Sequence, residues 1–244
     1  MSTQHFDIIG TVHSPYKEKF AVPRQPGLVP AAKGRIELLP PYNDADSVRD
    51  LSQFSHIWVL FVFHGTQEQG WKPLVRPPRL GGNQKTGVFA TRSTFRPNPI
   101  GMSVVALDEV EEEGRRIWLN ISGLDLIDQT PVLDIKPYLP YCDSLPDASS
   151  GFANNKPETK VSVEFSRQAE QQLRFAAEKI PDLRELICQV LSQDPRPAYR
   201  RHKKSDNTRY GVRLYNFNIV WIVQSSNDFQ VVSIEKENKG KSHD

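Results

Sequence analysis

Residues 89–102 gather side chains able to act on a polar headgroup. Arg92 and Arg96 can each fork two donors onto carboxylate or phosphate oxygens. Phe95 offers an aromatic face. Asn98 can accept a hydrogen bond from an amine while donating another, which makes it the candidate catalytic residue. Pro97 and Pro99 flank Asn98, fix φ and remove two backbone donors, so the connection has a restricted shape. A second stretch, residues 124–138, alternates carboxylates with apolar side chains: Asp125, Asp128 and Asp134, with Lys136 on the same strand face as Asp134. That pattern also describes a hairpin with an Asp turn and a surface ion pair, and both readings stay open. Among the histidines, His13 and His56 read as structural. His64 closes an apolar run just before Gly65 and is the more interesting one.

Absent motifs narrow the chemistry. There is no Gly-x-Gly-x-x-Gly after a strand, no Walker-type loop and no His-Glu-x-x-His, so a Rossmann nucleotide site is not expected. Leu39, Pro40, Pro41 and Tyr42 are spaced like the box of amino-group methyltransferases, but leucine cannot accept the amine's hydrogen bond. The two cysteines, Cys142 and Cys188, make neither a disulfide framework nor a cysteine-rich metal site, and they fit a reducing compartment. Residues 1–10 lack the pattern of a secretory signal, and the apolar run 57–63 is too short to span a bilayer. The expectation is a cytoplasmic protein with no metal.

Charge points to a polyanion. The net charge is only +2. Yet no acidic residue occurs between Glu68 and Asp108, a stretch that holds Lys72, Arg76, Arg79, Lys85, Arg92 and Arg96. A second basic cluster contains Arg200, Arg201, Lys203 and Lys204. Such segments neutralise phosphates and release counterions.

The elements that must position these residues are mainly β. Strands are predicted over 6–12, 34–39, 56–64, 87–93, 102–110, 115–122 and 132–137, separated by Pro, Gly and Asn turns, with a short helix near 46–54. The run 56–64 lacks alternation and reads as a strand covered on both faces. Many short strands of this kind suggest a barrel or sandwich for a first domain over 1–142. Residues 143–160 read as a linker, 161–236 as a smaller α+β domain and 237–244 as a polar tail. In the second domain a strand at 161–165 leads to Ser166 as N-cap of a helix over 167–180, whose apolar face takes Ala169, Leu173, Phe175, Ala176 and Ile180. A second helix follows to residue 191, then strands at 210–224 and 229–234.

Ordered motifs carry a resemblance. They are Gly10 to Tyr16, Pro23 to Gly27, Phe54 to Trp58, Arg76 to Gly82, Gly87 to Ser93, Arg96 to Gly101 and Asp134 to Tyr138, with a further element from Asp194 to Tyr199. In this order they resemble the TsaA-like family. The resemblance implies a single-sheeted β-barrel methyltransferase, working as a homodimer, that moves a methyl group from S-adenosyl-L-methionine to N6 of adenosine. The adenosine implied is the threonylcarbamoyl-modified one at position 37, just 3′ of the anticodon of a threonine tRNA. Carried over motif by motif, the cofactor positions fall at Arg24, Gln25 and Pro26, at His64 and Gly65, at Arg92, at Met102, and at Asp125, Leu126, Ile127 and Asp128. Phe95, Arg96, Lys136, Arg200, Arg201, Lys203 and Lys204 are the expected RNA contacts. A non-catalytic RNA-binding module and a small-molecule methyltransferase on the same barrel are the alternatives.

Overall fold

The computed structural model describes residues 4–80, 84–155, 161–196 and 206–237. A closed six-stranded antiparallel barrel forms the first unit, in the order β1-β2-β7-β6-β3-β8. Its strands are β1 (Gly10–His13), β2 (Lys33–Leu38), β3 (His56–Val62), β6 (Ile100–Glu113), β7 (Arg116–Ser122) and β8 (Pro131–Pro137). Two short strands, β4 (Leu74–Val75) and β5 (Thr86–Gly87), make a separate pair in the excursion between β3 and β6. Alternation on β7 explains its place: Ile117, Leu119 and Ile121 enter the core at every second position. Trp118 faces the other way, where the Arg35 guanidinium lies 4.2 Å from its ring centroid and His13 meets it edge-on.

Several strand expectations need correction. β1 starts at Gly10 and not at residue 6, and residues 88–90 form a 3₁₀ turn where a strand was expected over 87–93. The helix near 46–54 resolves into two 3₁₀ turns, Ala45–Val48 and Leu51–Gln53. β3 is not covered equally on both faces. Ile57, Val59 and Phe61 are buried, whereas Trp58, Leu60 and Val62 are half-buried. The outer face is covered by Tyr138, whose ring centroid sits 5.9 Å from Trp58, and the Trp58 indole N–H donates to Asp143 at 3.0 Å. An apolar run therefore marked a strand whose outer side is shielded by its own chain and not by a second sheet.

A one-turn helix, α1 (Pro140–Asp143), leads out of the barrel. The second unit is a four-stranded sheet of β9 (Ser162–Phe165), β10 (Asp206–Leu214), β11 (Phe217–Ser225) and β12 (Asp228–Lys236), ordered β10-β11-β12-β9 with β9 parallel to β12. Ser166 accepts from the Ala169 N–H and caps α2 (Arg167–Ala177). Ala169, Leu173 and Ala176 are buried, but Phe175 is 74% exposed. At 100° per residue Phe175 lies well off the stripe set by the other three, so it faces solvent and not the buried side expected from the sequence. α3 (Leu183–Ser192) buries Leu183, Leu186, Ile187, Val190 and Leu191. The expected single strand 210–224 is a hairpin of β10 (Asp206–Leu214) and β11 (Phe217–Ser225), reversed at Tyr215, whose φ is 53°. No Gly or Pro announces that turn, which is why the sequence conceals it.

The two units share one hydrophobic core cluster. The Tyr215 N–H donates to the Pro15 carbonyl at 2.7 Å, Tyr16 and Leu214 form a β-bridge, and the Arg213 N–H donates to Glu18 at 3.1 Å. The Ala31 N–H donates to the Gln189 side chain at 2.9 Å. The long connection between β1 and β2 is thus held by the second unit.

Candidate functional site

One cavity of about 500 Å³ opens at the end of the barrel where β3 finishes and β6 begins. That volume lies in the usual range for a small-molecule site. Five separate stretches build it. The β1–β2 connection gives Lys19, Arg24 and Gln25; the end of β3 and the following turn give residues 61–66; the loop before β6 gives Thr91, Arg92, Thr94 and Arg96. β6 contributes residues 100–103, and the β7–β8 connection contributes Asp125, Leu126, Ile127 and Thr130.

Close packing sets the floor of the cavity. Phe61 on β3 pairs in register with Gly101 on β6, and a Cβ at Gly101 would come within 2.3 Å of the Phe61 ring. Glycine is required there by close approach and not by an unusual φ. The Phe61 ring then meets Phe63 edge-on at 5.1 Å, which gives the cavity an aromatic wall.

Polar groups are arranged around that wall. The Arg92 Nη1 donates to Gln25 Oε1 at 2.6 Å and joins two of the stretches. Arg96 Nη1 donates to the carbonyls of Thr91 at 2.9 Å and Val88 at 3.3 Å, so part of this guanidinium closes its own loop. Ser103, almost fully buried, donates from Oγ to Asp125 Oδ1 at 2.6 Å. Burial pushes the Asp125 carboxyl above the usual carboxylate range; the Ser103 hydroxyl, the residue's own backbone N–H and the Arg92 charge pull in the opposite direction without cancelling it. His64 Nδ1 and Thr66 Oγ1 are buried at the wall with no hydrogen-bond partner. Unpaired buried polar atoms are costly, and a ligand carrying donors and acceptors would satisfy them.

The donor set suits S-adenosylmethionine. That molecule combines a carboxylate, an ammonium, a sulfonium and a flat purine. The wall offers guanidinium donors, a carboxylate, polar atoms awaiting partners, and apolar surface from Phe61, Phe63, Ile100 and Ile127. Among the described residues no group of three His, Cys, Asp or Glu is placed to hold a metal ion, and no helix is long and apolar enough to cross a membrane.

Of the residues singled out in the sequence, the cavity brings together Arg24, Gln25, His64, Gly65, Arg92, Arg96, Met102, Asp125, Leu126 and Ile127. Pro26, Phe95, Asn98, Asp128 and Lys136 are not on its wall. Asp128 accepts from the Ser14 N–H at 2.9 Å and from Lys17 Nζ at 2.6 Å, pinning the β7–β8 connection to the β1–β2 connection. Phe95 lies under the Lys72 ammonium, 4.2 Å from the ring centroid. Asn98 is exposed, and its carbonyl accepts from the Ile100 N–H at 2.7 Å. Lys136 pairs with Asp134 at 2.8 Å, the surface ion pair that the spacing allowed. Arg200, Arg201, Lys203 and Lys204 lie outside the described residues. Sequence reasoning missed Ser103, Thr66 and Lys19. A signal existed for Ser103, since it occupies an inward position on β6 between Gly101 and Val105, where a polar side chain must find a partner.

Comparison with known proteins gives a consistent result. Residues 11–144 match the family description "tRNA-methyltransferase O N-terminal domain", and residues 158–237 match "TrmO C-terminal domain". The chain is 54% identical over 235 residues to a tRNA (adenine(37)-N6)-methyltransferase of Escherichia coli K12, which covers 96% of this chain and 99% of that relative. It is 50% identical over 214 residues to the Pseudomonas aeruginosa protein RcsF, whose name places it among S-adenosylmethionine-dependent methyltransferases; 87% of this chain and 90% of RcsF are covered. The crystal structure of TrmO from Pseudomonas aeruginosa superposes with a TM-score of 0.79 at 40% identity, covering 96% of this chain and 99% of that one.

Proposed function

Because this chain belongs to the tRNA-methyltransferase O family, we propose that it is an S-adenosylmethionine-dependent tRNA methyltransferase acting on N6 of adenosine 37. The finer reading takes the threonylcarbamoyl-modified adenosine of a threonine tRNA as its substrate, with the chain working as a cytoplasmic homodimer. The observation that carries the activity is the cavity of about 500 Å³, where an aromatic wall, guanidinium donors and a carboxylate from distant stretches converge.

When bound, S-adenosylmethionine supplies an electrophilic methyl group. Arg24, Gln25, His64, Gly65, Arg92, Met102 and residues 125–127 are the groups that would hold it. Gln25 and Arg92 act together, since their hydrogen bond fixes both. Pro26 shapes the turn beside them, and Asp128 braces the Asp125 segment through Ser14 and Lys17. The Phe61–Phe63 wall would shield one side of the bound donor from water. Holding the reactants in line is the chief contribution such a site can make.

The acid-free stretch before β6 would face RNA. Arg96 keeps donors beyond those that close its loop, and a threonylcarbamoyl carboxylate is a suitable acceptor for them. Phe95, Asn98 and Lys136 would meet the anticodon loop from outside the cavity, and Arg200, Arg201, Lys203 and Lys204 would meet its phosphates.

Mass spectrometry of tRNA nucleosides tests the reading. After incubation of threonine tRNA with the protein and S-adenosylmethionine, the threonylcarbamoyl nucleoside should gain one methyl group. tRNA lacking threonylcarbamoyl should react poorly. Equal reaction on both would remove the finer substrate, and no methyl transfer to any tRNA would remove the activity.

A further inference from the structure

We infer that Asp125 is the general base that takes the N6 proton during methyl transfer, with Ser103 as the positioning residue that orients its carboxylate. The inference rests on the activity proposed above. Asp125 is the only carboxylate on the cavity wall among the described residues, where the other charged or titratable groups are Lys19, Arg24, His64, Arg92 and Arg96. Ser103, only 2% exposed, holds Asp125 Oδ1 at 2.6 Å from the facing strand β6, so the carboxylate is fixed and not swept through solvent. The phenol of Tyr16 is fully buried, with no hydrogen-bond partner for its hydroxyl. Tyr16 and Asp125 interact electrostatically, and burial with that interaction pushes the phenol up, so it stays neutral beside the carboxylate.

The chemistry calls for such a group. The lone pair of adenine N6 is delocalised into the ring, and a carbamoyl substituent withdraws it further. N6 becomes a competent nucleophile when its proton leaves before or during attack. In the balanced step the N6–H bond breaks and the proton passes to the Asp125 carboxylate. The N6–CH3 bond forms with the nitrogen's electron pair, and the S–CH3 bond breaks with its pair kept by sulfur. The carboxylate becomes a carboxylic acid, the sulfonium a neutral thioether, and water later removes the proton from Asp125. A carboxyl raised by burial is the stronger base for this purpose, and a general base is most effective when its pKa lies near the working pH.

The test uses the full chain, threonine tRNA and S-adenosylmethionine. If the unaltered chain transfers no methyl group, the proposed activity fails and this inference with it. If it does, Asp125→Asn should lower kcat by about 100-fold or more, as loss of a general base does, while calorimetry shows a far smaller loss of affinity for S-adenosylmethionine, since Arg24, Gln25, His64, Arg92, Met102, Leu126 and Ile127 would still hold it. Ser103→Ala should move the acid limb of the kcat–pH profile to higher pH, because the Ser103 hydroxyl lowers the carboxyl and its loss raises it. Carbon-13 NMR of the Asp125 carboxyl, without any turnover, should show titration above the ordinary aspartate range and a further upward shift in Ser103→Ala. Near-normal kcat in Asp125→Asn would overturn the assignment. Cofactor affinity falling in proportion to kcat would make Asp125 a cofactor ligand instead. Should Asp125→Asn fail to fold, an acid limb and a carboxyl titration both unmoved by Ser103→Ala would overturn it equally.

Discussion

Gly101 and Phe61 show how a single missing side chain shapes a site. The ring of Phe61 occupies the space a Cβ would need, so Gly101→Ala must displace the aromatic wall of the cavity. Overpacking of this kind costs about 1–3 kcal/mol. Urea unfolding should register that loss, and calorimetry should show weaker S-adenosylmethionine binding; unchanged affinity would mean that the cofactor does not touch this wall. Arg96 gives a second test at the same scale. Its Nη1 closes the loop onto the carbonyls of Thr91 and Val88. An ammonium cannot reproduce that geometry, so Arg96→Lys should forfeit about 1 kcal/mol for each hydrogen bond lost. Faster amide exchange over residues 88–100 would report it, and protection equal to the unaltered chain would show that the loop is held by other contacts.

At the scale of elements, connections matter more than strands. Asp128 ties the β7–β8 connection to the β1–β2 connection through the Ser14 N–H and Lys17. Asp128→Ala should cost about 1–3 kcal/mol, the penalty for stripping a partner from a buried donor and breaking a charged hydrogen bond. Chemical denaturation would measure it, and a change within error would mean that neither loop depends on the tie. Thiol labelling probes α3. Cys142 is exposed, whereas Cys188 is half-buried and burial pushes its thiol up, so iodoacetamide should modify Cys142 well before Cys188. Equal rates would show α3 opening freely. These connections mark where sequence reading stopped. Alternation gave β2, β7 and β8 closely, because apolar side chains at every second position have one physical reading. The residues 87–93 were misread because Val88 and Phe89 have strand-forming side chains, while hydrogen bonds to carbonyls three residues back, such as Thr91 N–H to Val88 O at 3.1 Å, win locally. Residue pattern singled out His64 and Asp125 without showing that they would share a wall, and Arg24 was legible only through family resemblance. Nothing local tells that a turn after β3 and a loop after β7 will meet. Ser103 shows the converse, since strand parity alone would have placed it inward.

For the molecule as a whole, the shared core predicts cooperative unfolding. Leu214 is fully buried where the β10–β11 hairpin meets Tyr16. Leu214→Ala should cost about 2–5 kcal/mol. Trp58 and Trp118 lie in the barrel and Trp221 in the second unit, so tryptophan fluorescence and circular dichroism should report one coincident transition before and after the substitution. Two separated transitions would show that the units fold independently.

The hold of the second unit on the β1–β2 connection has a consequence for modularity. Lys19, Arg24 and Gln25 reach the cavity from a segment that Leu214, Tyr215 and Arg213 grip only a few residues upstream. The second unit is therefore not an interchangeable attachment. A barrel trimmed of it would lose affinity for the methyl donor as well as for RNA. A chimera carrying a foreign second unit would need the native 14–22 segment redesigned to match its new neighbour before it could methylate anything.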